Sequence, residues 1–151
     1  MSETRRFFLQ QTAKLFFAIN FIIPRLAWGK WPQQFFAEGS LEQTVKRLFN
    51  DAEFIDTNKI NIQLPRVAEN GAIVPIKIKS SLENIEKIYI LIEKNPVPLA
   101  AEFQLSPEVA IDLSARLKMA ESCQVIIVAS SGDKLYRNQR FVKVTVGGCG
   151  G

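Results

Sequence analysis

The alternation of apolar and polar residues after position 60 constrains the fold of this chain more than any other feature. The apolar positions are Ile60, Ile62 and Leu64, then Val74, Ile76 and Ile78, then Ile88, Ile90 and Ile92. Successive side chains of a β-strand point to opposite faces of a sheet, so this period of two predicts strands with one buried face. Further candidate strands cover residues 101–105, 111–117, 124–129 and 141–146.

Residues that favour turns separate these candidate strands. They are Asn70 and Gly71, residues 95–98, Ser106 with Pro107, and residues 130–134. Seven short strands with turns between them predict an all-β fold, an antiparallel β-sandwich of the immunoglobulin type. In the last strand, Val142, Val144 and Val146 share the face that we expect to pack into the core.

One helix is predicted before the strands. Residues 40–43 read Ser-Leu-Glu-Gln, the pattern of an N-terminal capping box. Leu41, Val45, Leu48 and Phe49 then recur at helical spacing up to about Asn50. We expect a short amphipathic helix that is an appendage to the sandwich and whose apolar stripe packs on the core.

The first 29 residues resemble an export signal. Arg5 and Arg6 precede a mainly apolar stretch over residues 15–23, which is similar to a twin-arginine signal peptide. The stretch is shorter than the roughly 20 residues of a transmembrane helix. We therefore expect residues 1–29 to direct export of the chain, with cleavage near residue 29 or retention as an anchor. The alternative is an amphipathic or buried first helix with a fortuitous arginine pair.

Composition excludes several kinds of chemistry. The chain contains no histidine and two cysteines, so it has no Ser/His or Cys/His catalytic pair and too few thiolates for a structural zinc site or an iron–sulfur cluster. We predict no catalytic residue, no metal and no cofactor. Residues 1–29 hold four basic and one acidic residue, which leaves 15 basic and 14 acidic residues for the rest of the chain. A nearly neutral body does not indicate nucleic-acid binding.

The sequence closes with Gly147, Gly148, Cys149, Gly150 and Gly151. Glycine leaves the backbone free and the thiol unobstructed, so we expect an arm that extends up to about 17 Å beyond a sandwich of residues 30–146 and carries Cys149 into a narrow site. The arm contains no His, Lys or Arg that would favour the thiolate, so activation should come from a partner. This pattern favours a covalent carrier over a thiol enzyme. The alternative is a tail that is merely disordered and carries nothing.

The second cysteine, Cys123, precedes an apolar run over residues 125–128. We expect it to be a small, partly buried residue at the edge of the sandwich and to be dispensable for carrying. The alternative is a disulfide with Cys149, which would silence the carrier.

Four stretches together resemble SoxY, the sulfur-carrier subunit family of bacterial thiosulfate oxidation. They are residues 64–73 (LPRVAENGAI), 92–99 (IEKNPVPL), 116–119 (RLKM) and 144–151 (VTVGGCGG). The resemblance implies an immunoglobulin-like body, a periplasmic location and a heterodimer with a SoxZ-like subunit. It also implies that Cys149 holds thiosulfate as a cysteine S-thiosulfonate.

The same resemblance implies transient partners that act on the loaded cysteine. They are a haem-containing SoxAX that loads it, a manganese-dependent SoxB that releases sulfate and, in some organisms, SoxCD. It implies no contact with nucleic acid, and none with a membrane once the signal is removed. The competing hypothesis is an exported scaffold or adhesion module whose cysteine forms a disulfide. A thiol oxidoreductase would need a C-x-x-C pair or an activating base, and the sequence offers neither.

Overall fold

The computed structural model describes residues 33–106 and 109–145. The predicted export signal, Val146 and the glycine–cysteine segment lie outside these residues. A short 3-10 helix (Gln33–Phe36) is followed by helix α1 (Leu41–Phe49) and the strands. The strands are β1 (Phe54–Asp56), β2 (Ile60–Gln63), β3 (Val67–Ala68), β4 (Val74–Ser80), β5 (Lys87–Ile92), β6 (Leu99–Gln104), β7 (Ile111–Leu117), β8 (Cys123–Ser131) and β9 (Lys134–Val144).

Helix α1 begins at the predicted capping box. The Ser40 hydroxyl accepts a hydrogen bond from the Gln43 backbone N–H at 3.2 Å, and the Gln43 side chain accepts one from the Ser40 N–H at 3.2 Å. These bonds satisfy N–H groups that have no partner within the helix. The helix ends at Asn50, whose φ of 53° is left-handed. Within the described ranges, no helix is long and apolar enough to cross a membrane.

The strands form two sheets, which confirms the predicted all-β sandwich class. The larger sheet has the order β1-β9-β8-β5-β6, with β3 also paired to β9, and the smaller sheet has the order β2-β4-β7. The other strand pairs are antiparallel, as predicted, whereas β1 and β3 both run parallel to β9. The chain lies beside β9 as β1, joins the smaller sheet as β2 and returns to β9 as β3.

The main core lies between the two sheets. The smaller sheet contributes the predicted period-two residues Ile60, Ile76 and Ile78, and the larger sheet contributes Ile88 and Ile127, all at most 3% exposed. Burying one such side chain stabilises the fold by about 1.5–3 kcal/mol. The apolar alternation therefore identified the inner faces of the sandwich correctly.

Helix α1 covers the outer face of the larger sheet, so it is an integral layer and not an appendage. The second core contains Phe49, Tyr89, Leu91 and Val128, with further apolar side chains of α1 packed against them. The Phe49 ring meets Tyr89 edge-on at 4.9 Å between ring centroids. Strand β5 is accordingly buried on both faces and reads as a continuous apolar run.

The last strand is longer than the sequence predicted. Alternation indicated a strand from Phe141, whereas β9 begins at Lys134 and pairs with β8 through a turn at Gly132 and Asp133. The first half of β9 lacks a simple apolar alternation, because Leu135 and Tyr136 pack against different cores and the next residues make polar contacts. Asn138 donates to the Ile60 carbonyl at 2.6 Å, and Arg137 forms an ion pair with Asp56 at 2.8 Å. Val142 is fully buried, as predicted.

Removal of the Phe49 ring should test the role of α1 as a structural layer. We expect Phe49→Ala to lower the free energy of unfolding by about 3–5 kcal/mol, since it empties the aromatic contact between helix and sheet. Urea unfolding measures this. The matched variant Lys46→Ala, at an exposed position of the same helix, should change it by less than about 0.5 kcal/mol. Equal effects of the two variants would mean that the helix is an appendage after all.

Candidate functional site

The predicted site residue Cys149, the arm residues Gly147, Gly148, Gly150 and Gly151, and the export residues Arg5 and Arg6 lie outside the described residues. The structure does describe the segment from which the arm extends, the end of β9 at Val144 and the following Thr145. We call the segment of Lys143, Val144 and Thr145 the anchor. The residues that hold it are Arg66, Ala68, Gly71, Met119 and Ser122.

Ser122 holds the anchor from the side of β8. Its hydroxyl accepts a hydrogen bond from the Val144 N–H at 2.9 Å and donates to the Val144 carbonyl at 3.2 Å. One half-buried side chain thus satisfies both backbone groups of Val144, just beyond the last backbone pair of β8 and β9. The strand is fixed up to its final residue.

Strand β3 holds the anchor from the opposite side. The Lys143 N–H donates to the Arg66 carbonyl at 3.0 Å, and the Thr145 N–H donates to the Ala68 carbonyl at 3.0 Å. Since neighbouring N–H groups of a strand point to opposite sides, Val144 faces Ser122 while Lys143 and Thr145 face β3. The end of β9 therefore has hydrogen-bond partners on both edges.

Gly71 lies against the inner side of the anchor. Its carbonyl accepts from the Met119 N–H at 2.7 Å. A Cβ at this position would lie 2.4 Å from the Met119 carbonyl oxygen and 2.9 Å from the Val144 side chain, closer than such atoms can approach. Glycine is therefore required here by close backbone approach, and the sequence pattern Asn70–Gly71 had indicated only a turn.

Asn95 connects a third stretch of the chain to this end of the sandwich. Its side-chain amide donates to the Lys118 carbonyl at 2.7 Å, and its side-chain oxygen accepts from the Ala120 N–H at 2.9 Å. Residues 64–73, 92–99 and 116–119 therefore meet at the end of the sandwich where β9 terminates. These are three of the four stretches that carry the family resemblance. They are neighbours in space, and residues 144 and 145 of the fourth stretch lie beside them.

The structure corrects the expectation for Cys123. It was expected to be partly buried at the edge of the sandwich, but it is 1% exposed and begins β8, a strand with neighbours on both sides. It lies opposite Val142 and packs into the main core. Burial raises the pKa of the Cys123 thiol, and a neutral, inaccessible thiol is a poor nucleophile. Cys123 is a core residue.

Several acidic side chains of the described residues form ion pairs with neighbouring cations. Over residues 33–106 and 109–145, no group of three His, Cys, Asp or Glu side chains could hold a metal ion. The carboxylates with shifted pKa values are surface partners of cations. Arg137 lowers the pKa of Asp56, and Lys77 with Lys79 lowers that of Asp112. A carboxyl group held in its charged form at the surface is poorly suited to act as a general acid.

The described fold is a β-sandwich whose last strand is hydrogen-bonded on both edges as far as Thr145, and the glycine–cysteine residues 147–151 follow in the sequence. The model of the family described as sulfur oxidation protein SoxY matches residues 45–149, a range that ends at Cys149. The chain belongs to the SoxY family.

A solved structure agrees with this assignment. The sulfur carrier protein SoxY from Chlorobium limicola f thiosulfatophilum is 33% identical, with a TM-score of 0.65, and the match covers 71% of this chain and 97% of that one. No functionally curated protein sequence was found to match the chain.

Removal of the Ser122 hydroxyl should loosen the anchor. We expect Ser122→Ala to lower the free energy of unfolding by about 1–3 kcal/mol, because it leaves the Val144 N–H without its partner in a half-buried position. Urea unfolding measures the loss. Ser81→Ala is the matched control, because Ser81 is exposed and bonds only through its backbone to Lys59. An unchanged stability in Ser122→Ala would show that the hydroxyl does not hold the strand.

Proposed function

We propose that the chain is a covalent sulfur carrier of thiosulfate oxidation, with Cys149 as the attachment site. The observation that carries the proposal is the anchor. Val144 and Thr145 are hydrogen-bonded on both edges, and the glycines that flank Cys149 follow within two residues. A fixed root with an unhindered thiol at its end suits repeated delivery of one group to different enzymes. Family membership and the carrier named in the solved relative support the same role.

The proposed loading step forms a sulfur–sulfur bond on Cys149. The thiol and thiosulfate join to give the S-thiosulfonate, and one proton and two electrons leave. The electrons pass to a haem-containing partner of the SoxAX type. Hydrolysis by a SoxB-type enzyme then consumes one water, releases sulfate and one proton, and leaves a neutral persulfide (S–SH) on Cys149. A SoxCD-type enzyme could oxidise that remaining sulfur where the host has one.

The carrier itself needs only to expose the thiol. The segment of residues 147–151 contains no basic side chain, and Cys123 is enclosed in the core. The carboxylate that lines a cavity at the anchor belongs to Glu69, which is exposed to solvent. The proposal therefore assigns activation of Cys149 to its partners. It includes a heterodimer with a SoxZ-like subunit and delivery to the periplasm by residues 1–29, with Arg5 and Arg6 as the recognised pair.

Loading at Cys149 should be visible by mass spectrometry. We expect the peptide that contains Cys149 to gain thiosulfonate after incubation with thiosulfate and SoxAX-type and SoxZ-like partners. Cys149→Ser should take up no sulfur, while its free energy of unfolding changes by less than about 0.5 kcal/mol, because the residue lies beyond the last strand.

Cys123→Ala is the matched cysteine control and should load like the unmodified chain. In that experiment, a disulfide between chains through Cys149 would indicate the scaffold hypothesis. A cycling Cys123–Cys149 disulfide would indicate a thiol oxidoreductase. Either result, without sulfur adducts, would refute the carrier proposal.

A further inference from the structure

A basic groove opens beside the anchor, where β2 leaves the smaller sheet. The pairing of β2 with β4 stops at Gln63 and Lys77, whereas β4 continues beside β7 as far as Val74 and Leu117. The edge of β4 at Pro75 and Ile76 is therefore left uncovered. The chain diverges from it toward β3, and the space between has a volume of about 1180 Å³.

The charges that line this groove are all positive. They are carried by Arg66, Lys77, Arg116 and Arg140, with Phe141 beside them, and no carboxylate lines the groove. Lys77 is paired with Asp112 at 3.2 Å. The three arginines are exposed and form no ion pair with any residue of the described ranges. Guanidinium groups suit the planar, bidentate recognition of anionic oxygens.

A second cavity at the anchor has the opposite character. Glu69, Val144 and Thr145 are among its lining residues, and no cation is among them. Its one carboxylate would repel an anionic group. An anion carried on the arm thus meets repulsion in this cavity and attraction in the basic groove.

We propose that the basic groove receives Cys149 when it carries an anionic thiosulfonate and releases it when the adduct is neutral or absent. The inference rests on the proposed function, because that function supplies the anion. Docking would hold the loaded arm against the body by Arg66, Arg116 and Arg140. Discharge of the sulfonate as sulfate would remove the group that the arginines contact.

The strand register places the groove within reach of Cys149. The Arg66 carbonyl bonds Lys143, so the Arg66 backbone lies beside β9 about two residues before Thr145. Four residues from Thr145 to Cys149 span up to about 14 Å. The path from Thr145 to Arg66 is about 8 Å, from the spacing of paired strands and the rise per residue. Arg140, five residues before Thr145 on β9, is about 17 Å away along the strand, a gap that its side chain shortens.

The test loads the purified full chain without any enzyme. Tetrathionate transfers a thiosulfonate to an exposed thiolate and releases thiosulfate, so it should modify Cys149 and leave the buried Cys123 intact, which mass spectrometry verifies. Methyl methanethiosulfonate transfers its methylthio group to the thiolate and releases methanesulfinate, which gives a neutral methyl disulfide on Cys149 as the matched control. Amide NMR shifts of Ser114 and Ala115, which line the groove but lie far from the arm in sequence, report docking.

We expect these shifts to change with the thiosulfonate and not with the methyl disulfide. One exposed charge pair contributes a factor of up to about five to an equilibrium, so the triple variant R66Q/R116Q/R140Q should lose most of the change. Lys134→Gln, which removes one positive charge at the opposite end of β9, should retain it. In the thiosulfonate-loaded chain without substitutions, salt at 1 M should suppress the change in the shifts, since the screening length falls to about 3 Å.

Unchanged shifts with the thiosulfonate, or equal changes with both adducts, would overturn the inference. These outcomes are separate from failure of the proposed function. If tetrathionate loads Cys149 and the groove responds while thiosulfate and the partner enzymes leave no adduct, the groove inference stands and the carrier proposal fails. If the enzymes load Cys149 and the groove shows no response, the carrier proposal stands and the groove inference fails.

Discussion

The pairing of β3 with the end of β9 is the interaction on which the remainder of the structure depends. Without it, β9 would have one free edge at Lys143 and Thr145, and the strand would end wherever its hydrogen bonds to β8 ceased. With β3 on one edge and Ser122 on the other, the backbone remains fixed through Thr145. The same return of the chain to β9 opens the basic groove. Anchor and groove are thus two consequences of one crossover.

Much of the fold could be predicted because its core is built on simple periodicity. Ile60, Ile76 and Ile78 alternate with polar residues where a strand has one buried face, and the capping box at Ser40 marks the start of a helix. Prediction failed where other forces decide. The first half of β9 is held by polar contacts such as Asn138 to Ile60, and β3 contains only two residues, too few for any period to appear.

The chemistry proposed for Cys149 remains a prediction from the sequence, and the sequence indicated only part of the fold that holds the end of β9. The glycines around Cys149 indicate an accessible thiol from the sequence alone. The sequence pattern at Gly71 indicated a turn. Glycine is required there because Met119 and Val144, which are distant in sequence, approach it closely. Ser122 carries no signal in its local pattern. Cys123 was placed at the edge because its neighbours suggested a strand end, and the sequence does not reveal that β8 is flanked by two other strands.

The central claim is that the anchor is held rigidly and that this order ends where the glycines begin. Amide hydrogen exchange on the intact chain tests this claim. The account predicts that Lys143, Val144 and Thr145 exchange slowly, because each N–H is hydrogen-bonded, and that Gly147 and Gly148 exchange at the rate of an unstructured peptide. Exchange of Lys143 and Val144 at the rate of an unstructured peptide would contradict the account, because the end of β9 would then lack stable hydrogen bonds.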